Sequence, residues 1–179
     1  MPAQSKQVLG QHIQPPARLN VRPLRSVFLA GNINMGTAPP WQREMAEILS
    51  DLPIVVYNPR RDQAGNTFDP TLKQDISNPK FKEQVDWEMD HLDQSDIIAM
   101  YFDPDPVKLS PITLLELGLH AQDRKLIVCC PQGLGRKCNV QIVCERFGIM
   151  LLETREDFEK TVRKEAERLC SRKSVVVGF

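Results

Sequence analysis

At 179 residues the chain is the size of one ordinary domain, long enough to bury a core without disulfides or a structural metal. Lysine plus arginine and aspartate plus glutamate each number 23, so the formal net charge is zero and no global field exists to gather polymeric nucleic acid or an anionic membrane. No apolar run approaches the roughly 20 residues that span a bilayer, and Met1–Lys6 lacks a secretory apolar stretch, so a cytoplasmic location is expected.

Residues 1–23 carry Pro2, Pro15, Pro16 and Pro23 with no sustained period, and read as an extended or disordered arm. A domain is expected over 24–172, followed by a short apolar tail over 173–179. Ser26–Gly31 is an apolar run ending in glycine, as a buried parallel strand would be, and Trp41–Leu52 has the spacing of an amphipathic helix behind Pro39 and Pro40. Pro53–Tyr57 reads as a second strand closed by Asn58-Pro59, and 58–78 as a long polar loop. Phe81, Val85, Met89 and Leu92 recur at helical spacing behind Asn78-Pro79, and Asp96–Phe102 is an apolar strand. The prolines at 104, 106 and 111 forbid a helix across 103–111. Helix is expected again over Ile112–Ala121, strand over Lys125–Cys130, helix over Asn139–Phe147, strand over Ile149–Leu152, and a charged helix from Thr154 to about Arg172.

Strands alternating with helices imply a doubly wound α/β fold of the flavodoxin or Rossmann kind, a five-stranded parallel sheet with helices on both faces. Ligands in such sheets bind beyond the carboxyl ends of the strands, which directs attention to the loops beginning at Gly31, Asn58, Asp103 and Pro131. Gly31 and Gly36 permit close backbone approach, and Asn32 and Asn34 between them offer amides, but the loop has neither the G-x-G-x-x-G nor the Walker pattern, so no dinucleotide, nucleoside triphosphate or other cofactor is indicated. A bare turn explains the same residues. Gly133 and Gly135 form half of a phosphate fingerprint, and Arg136 and Lys137 read as a solvated loop. The cysteines at 129, 130, 138, 144 and 170, and His12, His91 and His120, have no metal-ligand spacing, so reduced structural thiols and no metal are expected.

The carboxylates are more informative. Glu88, Asp90, Asp93 and Asp96 lead into one strand, with Met89 and Leu92 read as the buried stripe beside them. Glu116 is flanked by Leu114, Leu115, Leu117 and Leu119, and a charge in that setting needs a partner or a function. A salt bridge to Arg60 or Arg61, or the polar stripe of an amphipathic helix, accounts for it as well as catalysis does. Trp41, Trp87, Tyr57 and Tyr101 offer faces for a planar base or simply fill the core.

Three segments taken in order, Val27–Gly36, Trp87–Met100 and Ser110–Ala121, resemble the nucleoside 2-deoxyribosyltransferase superfamily over about residues 26–152, in a divergent form with Asn-Pro-Arg-Arg at 58–61 and Ser-Pro-Ile-Thr-Leu-Leu-Glu-Leu-Gly at 110–118. The resemblance implies that Glu116, in its Glu-Leu-Gly setting, is the nucleophile that forms a covalent glycosyl intermediate. It implies that Glu88, eight residues before Asp96 and replacing the usual aspartate, assists the departing base. Ser110 matches a serine that meets phosphate in the 5′-monophosphate hydrolase relatives, and Asn139 a polar residue that reaches a neighbouring subunit's site, which implies a homodimer or larger homo-oligomer. Asn32 and Asn34 replace the serine and arginine of the phosphate-specific relatives, which argues against a 5′-phosphate unless Arg60, Arg61 or Arg136 substitutes. The expected site comprises Glu116 and Glu88 with Gly31, Asn32, Asn34, Asp96, Ser110, Asn139, Arg60 and Tyr57 binding a small nucleoside or nucleotide. Hydrogen bonds, from Tyr57 or the Asn32–Asn34 loop, are expected to keep Glu116 ionised against its apolar neighbours. The function expected is cleavage or exchange of an N-glycosidic bond, by a deoxyribosyltransferase or a hydrolase. A non-catalytic nucleotide-binding sensor on the same fold is the alternative.

Overall fold

A computed structural model describes residues 10–20, 25–33, 39–63, 66–67, 69, 71–104 and 110–171. Asn34 and the tail over 173–179 lie outside the described residues. The elements in chain order are β1 (Gln11–Ile13), β2 (Ser26–Gly31), α1 (Trp41–Ile48), β3 (Val55–Tyr57), β4 (Asp62–Gln63), β5 (Asn66–Thr67), α2 (Pro79–Gln94), β6 (Ile97–Tyr101), α3 (Pro111–His120), β7 (Leu126–Cys129), α4 (Lys137–Phe147), β8 (Met150–Leu152) and α5 (Arg155–Ser171).

Six strands form one sheet in the order β1-β3-β2-β6-β7-β8, and every neighbouring pair is parallel. The expected doubly wound α/β fold is therefore present, with six strands where five were expected. The additional strand is β1, in the segment read as an arm, and its register pairs His12 with Val56. Three residues are too few to carry a period of their own. They are held from outside: the indole Nε1 of buried Trp87 donates to Ala17 O at 2.7 Å, and Arg18 meets Asp90 at 2.6 Å on the surface. Within the expected polar loop 58–78, β4 and β5 make a small antiparallel hairpin.

Alternate residues of the central strands feed two cores, as the period of two requires. Phe28, Ala30, Ile98, Met100 and Val128 pack with Trp87 and Leu92 of α2, Leu117 of α3 and Val140 of α4. Val27, Leu29, Ala99, Ile127 and Cys129 pack with Trp41 and Met45 of α1 and Phe158 and Val162 of α5. Without the edge strand β1, the order is that of a flavodoxin-like sheet. The chain passes from β2 outward to β3 and then back across to β6, which opens a crevice above the carboxyl ends of β2 and β6.

Gly31 closes β2 at that crevice with φ 153°, and a Cβ there would lie 2.5 Å from the Tyr101 carbonyl oxygen and 2.8 Å from the Trp41 ring. Only glycine lets β2 end so close to β6 and α1. Among the described residues no helix is long and apolar enough to cross a membrane.

Candidate active site

α2 begins where Asn78 caps it, its side-chain oxygen accepting from Lys80 N at 3.1 Å, with Pro79 in the first turn where no N–H is needed. Its buried residues are Trp87, His91 and Leu92. Met89, expected in the buried stripe, is instead 51% exposed. The apolar spacing set the helix phase wrongly because Trp87 and His91 fill the sheet-facing side, their rings 4.2 Å apart, with Tyr57 at the same distance from His91. The corrected phase brings Gln84 and Glu88, one turn apart, to a partly buried flank.

α3 is inverted relative to an ordinary amphipathic helix. It buries Thr113, Glu116, Leu117 and His120, while Ile112, Leu115 and Leu119 are 59%, 58% and 57% exposed. Glu116 retains 9% of its surface. Among the described residues it receives no ion pair from Arg60 or Arg61 and no hydrogen bond, so neither the salt-bridge account nor the expected bonds from Tyr57 describes it. Burial pushes its pKa up from 4.5 to about 8, and the nearby Glu88 carboxylate adds to that rise. Burial likewise raises Glu88 to about 7, opposed by a hydrogen bond from Gln84 and by the charge of Arg61. α2 and α3 both pack on β2, and the Glu88 charge on one helix reaches Glu116 on the other. Two such groups titrate as a pair that, near neutrality, holds a single proton between them. One carboxylate is then a nucleophile or base while the other is an acid.

Of the remaining expected residues, Gly31 and Asn32 lie at the carboxyl end of β2, where Asn32 is partly buried. Ser110 precedes α3; its hydroxyl is buried with no hydrogen-bond partner among the described residues, and its carbonyl accepts from Leu114 N at 3.0 Å. Four of the expected residues stand elsewhere. Asp96 lies at the amino end of β6, where it accepts from Ser26 N at 2.8 Å and ties β6 to β2. A six-residue strand step at about 3.3 Å per residue puts it roughly 20 Å from the crevice, so it is a strand tie and not a ligand-facing group. Tyr57 is 1% exposed, packed edge-on to Trp87. Arg60 is buried, donates Nη1 to Pro39 O at 3.0 Å and lies 3.6 Å from Asp62, which braces the hairpin against the start of α1. Asn139 is exposed on α4.

Sequence reasoning missed Gln84. It also left open which arginine approaches the acids, and that is Arg61, whose Nε donates to Gln84 Oε1 at 2.7 Å. Arg136, exposed, opens α4 with φ 71°. Two clefts, of about 340 Å³ lined by Arg124, Phe147 and Ile149 and about 200 Å³ lined by His12, Arg43 and Glu47, lie away from the two acids. All five cysteines are free thiols, and burial raises Cys129 to about 12 and Cys130 and Cys144 to about 11, which makes them inert near neutrality. Among the described residues no group of three or more histidine, cysteine, aspartate or glutamate side chains is placed to hold a metal ion.

A family model described as nucleoside 2-deoxyribosyltransferase-like matches residues 24–134, more than half of the chain and the whole span that carries Glu88 and Glu116. The chain belongs to that family. Comparison with curated proteins gives no match. The nucleoside 2-deoxyribosyltransferase-like domain thus supplies β2, β3, β6 and the helices that bear both acids, whereas α4, β8 and α5 complete the sheet beyond the matched span.

Proposed function

We propose that the protein cleaves or exchanges the N-glycosidic bond of a small nucleoside or nucleotide by double displacement, with Glu116 as nucleophile and Glu88 as proton donor. The observation that carries this reading is the pair formed by buried Glu116 and partly buried Glu88 on the two helices that pack on β2, both raised towards neutrality, with the Glu88 charge acting on Glu116. In the first step a Glu116 oxygen bonds to C1′ as the C1′–N bond breaks. The electron pair goes to the base nitrogen and the Glu88 proton goes with it, leaving a glycosyl ester on Glu116 and an ionised Glu88. In the second step a free base or a water attacks C1′, Glu88 takes the proton from it, and the ester bond breaks to return Glu116 as a carboxylate. Of the two acids Glu116 holds its proton more tightly; sugar hydroxyls that donate to Glu116 would favour its ionised form and leave the proton on Glu88.

Gly31, Asn32 and Ser110 are the supporting residues we assign to substrate, since they border the carboxyl-end crevice and the Ser110 hydroxyl is buried without a partner among the described residues. Arg61, linked to Glu88 through Gln84 and acting on it by its charge, is the candidate for any anionic group on the substrate. A homo-oligomer is part of the proposal: the apolar stripe Ile112, Leu115 and Leu119 on the outer side of α3 suits a second copy, on the helix that carries Glu116. Free thiols fit a reducing, cytoplasmic setting.

Base release from ribo- and deoxyribonucleosides and their 5′-monophosphates, with and without a second free base, tests the reading. Release by the native protein that disappears in Glu116→Gln is expected, and product nucleoside that requires added base identifies a transferase. No release from any substrate by folded native protein, with binding retained, replaces this reading with a nucleotide-binding sensor.

A further inference from the structure

We infer that Gln84 is a positioning residue that links Arg61 to Glu88 and fixes which oxygen of Glu88 carries the transferable proton; the inference rests on the glycosidic reading above. The geometry allows one orientation of the amide. Gln84 Oε1 accepts from Arg61 Nε at 2.7 Å, so its NH2 end is turned away, donating to Glu88 Oε1 at 2.6 Å and approaching Pro59 O at 3.3 Å. A reversed amide would point N–H at N–H on one side and oxygen at oxygen on the other. Glutamine is the side chain that accepts from a cation at one end and donates to a carboxylate at the other. Glutamate at 84 would face Glu88 with a second negative charge, and lysine would face Arg61 with a second positive one.

The chemical consequence follows from which oxygen is engaged. Glu88 Oε1 receives the Gln84 hydrogen bond, and the hydroxyl oxygen of a carboxylic acid is the poorer acceptor, so the proton of protonated Glu88 resides on Oε2. That assigns Oε1 to the protein and Oε2 to the base. The same bond stabilises the ionised form after transfer, together with the Arg61 charge, while burial favours the protonated form, as an ionised Glu116 would. Those are the groups that act on Glu88 from its own helix, from the loop after β3 and from α3. Gln84 therefore keeps the acid able both to give up the proton and to take it back in the second step.

Two measurements separate this inference from the reading on which it rests. In the Glu116→Gln background, where Glu88 titrates as a single group, ¹³C NMR of the glutamate δ-carbon follows Glu88 directly in the full chain without turnover. Gln84→Met is expected to move that titration upward by about one pH unit, since a hydrogen bond to a charged group is worth on the order of one to two pH units of differential stability. In the native background it lowers kcat for base release about tenfold or more with little change in KM, and moves the alkaline limb of the pH–rate profile upward. Arg61→Met is expected to raise the same titration because it unpins the amide and removes a positive charge, and it serves where Gln84→Met does not fold. An unchanged Glu88 titration in a folded Gln84→Met, or in Arg61→Met where that variant alone folds, overturns the inference. A titration shift with no base release by native protein sinks the glycosidic reading and leaves the electrostatic link standing.

Discussion

Replacing Glu116 by glutamine tests the central electrostatic argument before any substrate is known. Folded Glu116 holds its proton up to about pH 8, whereas its ordinary value is 4.5. The folded state therefore binds the proton more tightly than the unfolded state, and the wild type loses stability as pH rises from 4.5 towards 8. At about 1.36 kcal/mol per unit, the cost is negligible at about pH 4.5, reaches about 3 kcal/mol at pH 7, and levels off near 5 kcal/mol above the folded value. Glutamine keeps the shape and never ionises, so it is expected to equal the wild type at pH 4.5 and to exceed it by about 3 kcal/mol at pH 7. For a domain of this size that corresponds to a melting temperature raised by about 6–12 °C at pH 7. Urea unfolding of both proteins at half-unit pH intervals reads the difference directly, with base release lost in the variant at every pH. Parallel stability curves across that range, with glutamine no better at pH 7 than at pH 4.5, would refute a buried, uncompensated carboxylate at 116.

The same pair predicts the pH dependence of turnover. Below about pH 7 both acids are protonated and the nucleophile is lost, and above about pH 8 both are ionised and the proton donor is lost, so kcat for base release is expected to peak between these values as a bell; a flat profile across pH 6–9 contradicts the shared proton. Glu88→Gln is expected to lower release of ordinary bases by about 10²–10⁴-fold, the usual share of general acid catalysis, yet to spare N7-methylated purine nucleosides, whose base departs without a proton; equal loss on both substrates would remove Glu88 as the donor. Gly31→Ala forces a Cβ to within 2.5 Å of the Tyr101 carbonyl, and urea unfolding is expected to record a loss of about 2–4 kcal/mol, with wild-type stability arguing against the tight β2–β6 approach.

The central strands were legible because each is an apolar run ended by glycine, asparagine or proline, and a parallel sheet buried on both faces needs little more than that. The corners were less so. β1 has no period in three residues and exists because β3 offers an open edge and Trp87 reaches across to Ala17, both of them long-range facts. The α2 phase failed because Trp87 and His91 outcompete Met89 for the sheet, an outcome of ring packing that hydropathy does not rank. Glu88 and Glu116 stood out in the sequence by chemistry and by resemblance, and the structure adds that the Glu88 charge reaches Glu116. Gln84 was not, since a glutamine one turn from a glutamate is ordinary surface sequence until Arg61 is brought to its other end. Asp96 failed for the converse reason, because a carboxylate beside a strand carries no mark of which end of the sheet it occupies.

α3 joins these threads. A helix that turns Thr113, Glu116 and His120 inward and Ile112, Leu115 and Leu119 outward gives up apolar burial on one side and desolvates a carboxylate on the other. Both choices cost stability in an isolated chain: each exposed leucine or isoleucine forgoes about 1.5–3 kcal/mol of burial, and Glu116 adds its own penalty as the pH rises. A sequence that only had to fold would rotate the helix by about 100°, one residue's turn, to bring Ile112, Leu115 and Leu119 inward, and would carry an apolar residue in place of Glu116. The proposed glycosidic activity would explain the inward face, by a substrate that needs a buried carboxylate, and the proposed homo-oligomer would explain the outward face. If both hold, oligomerisation stabilises the same helix that catalysis strains. Glu116→Gln should then melt higher with its oligomeric state unchanged, whereas Leu115→Glu should dissociate the assembly and lower base release together. Dissociation without loss of activity would separate the two faces and leave the outer stripe unexplained by the site.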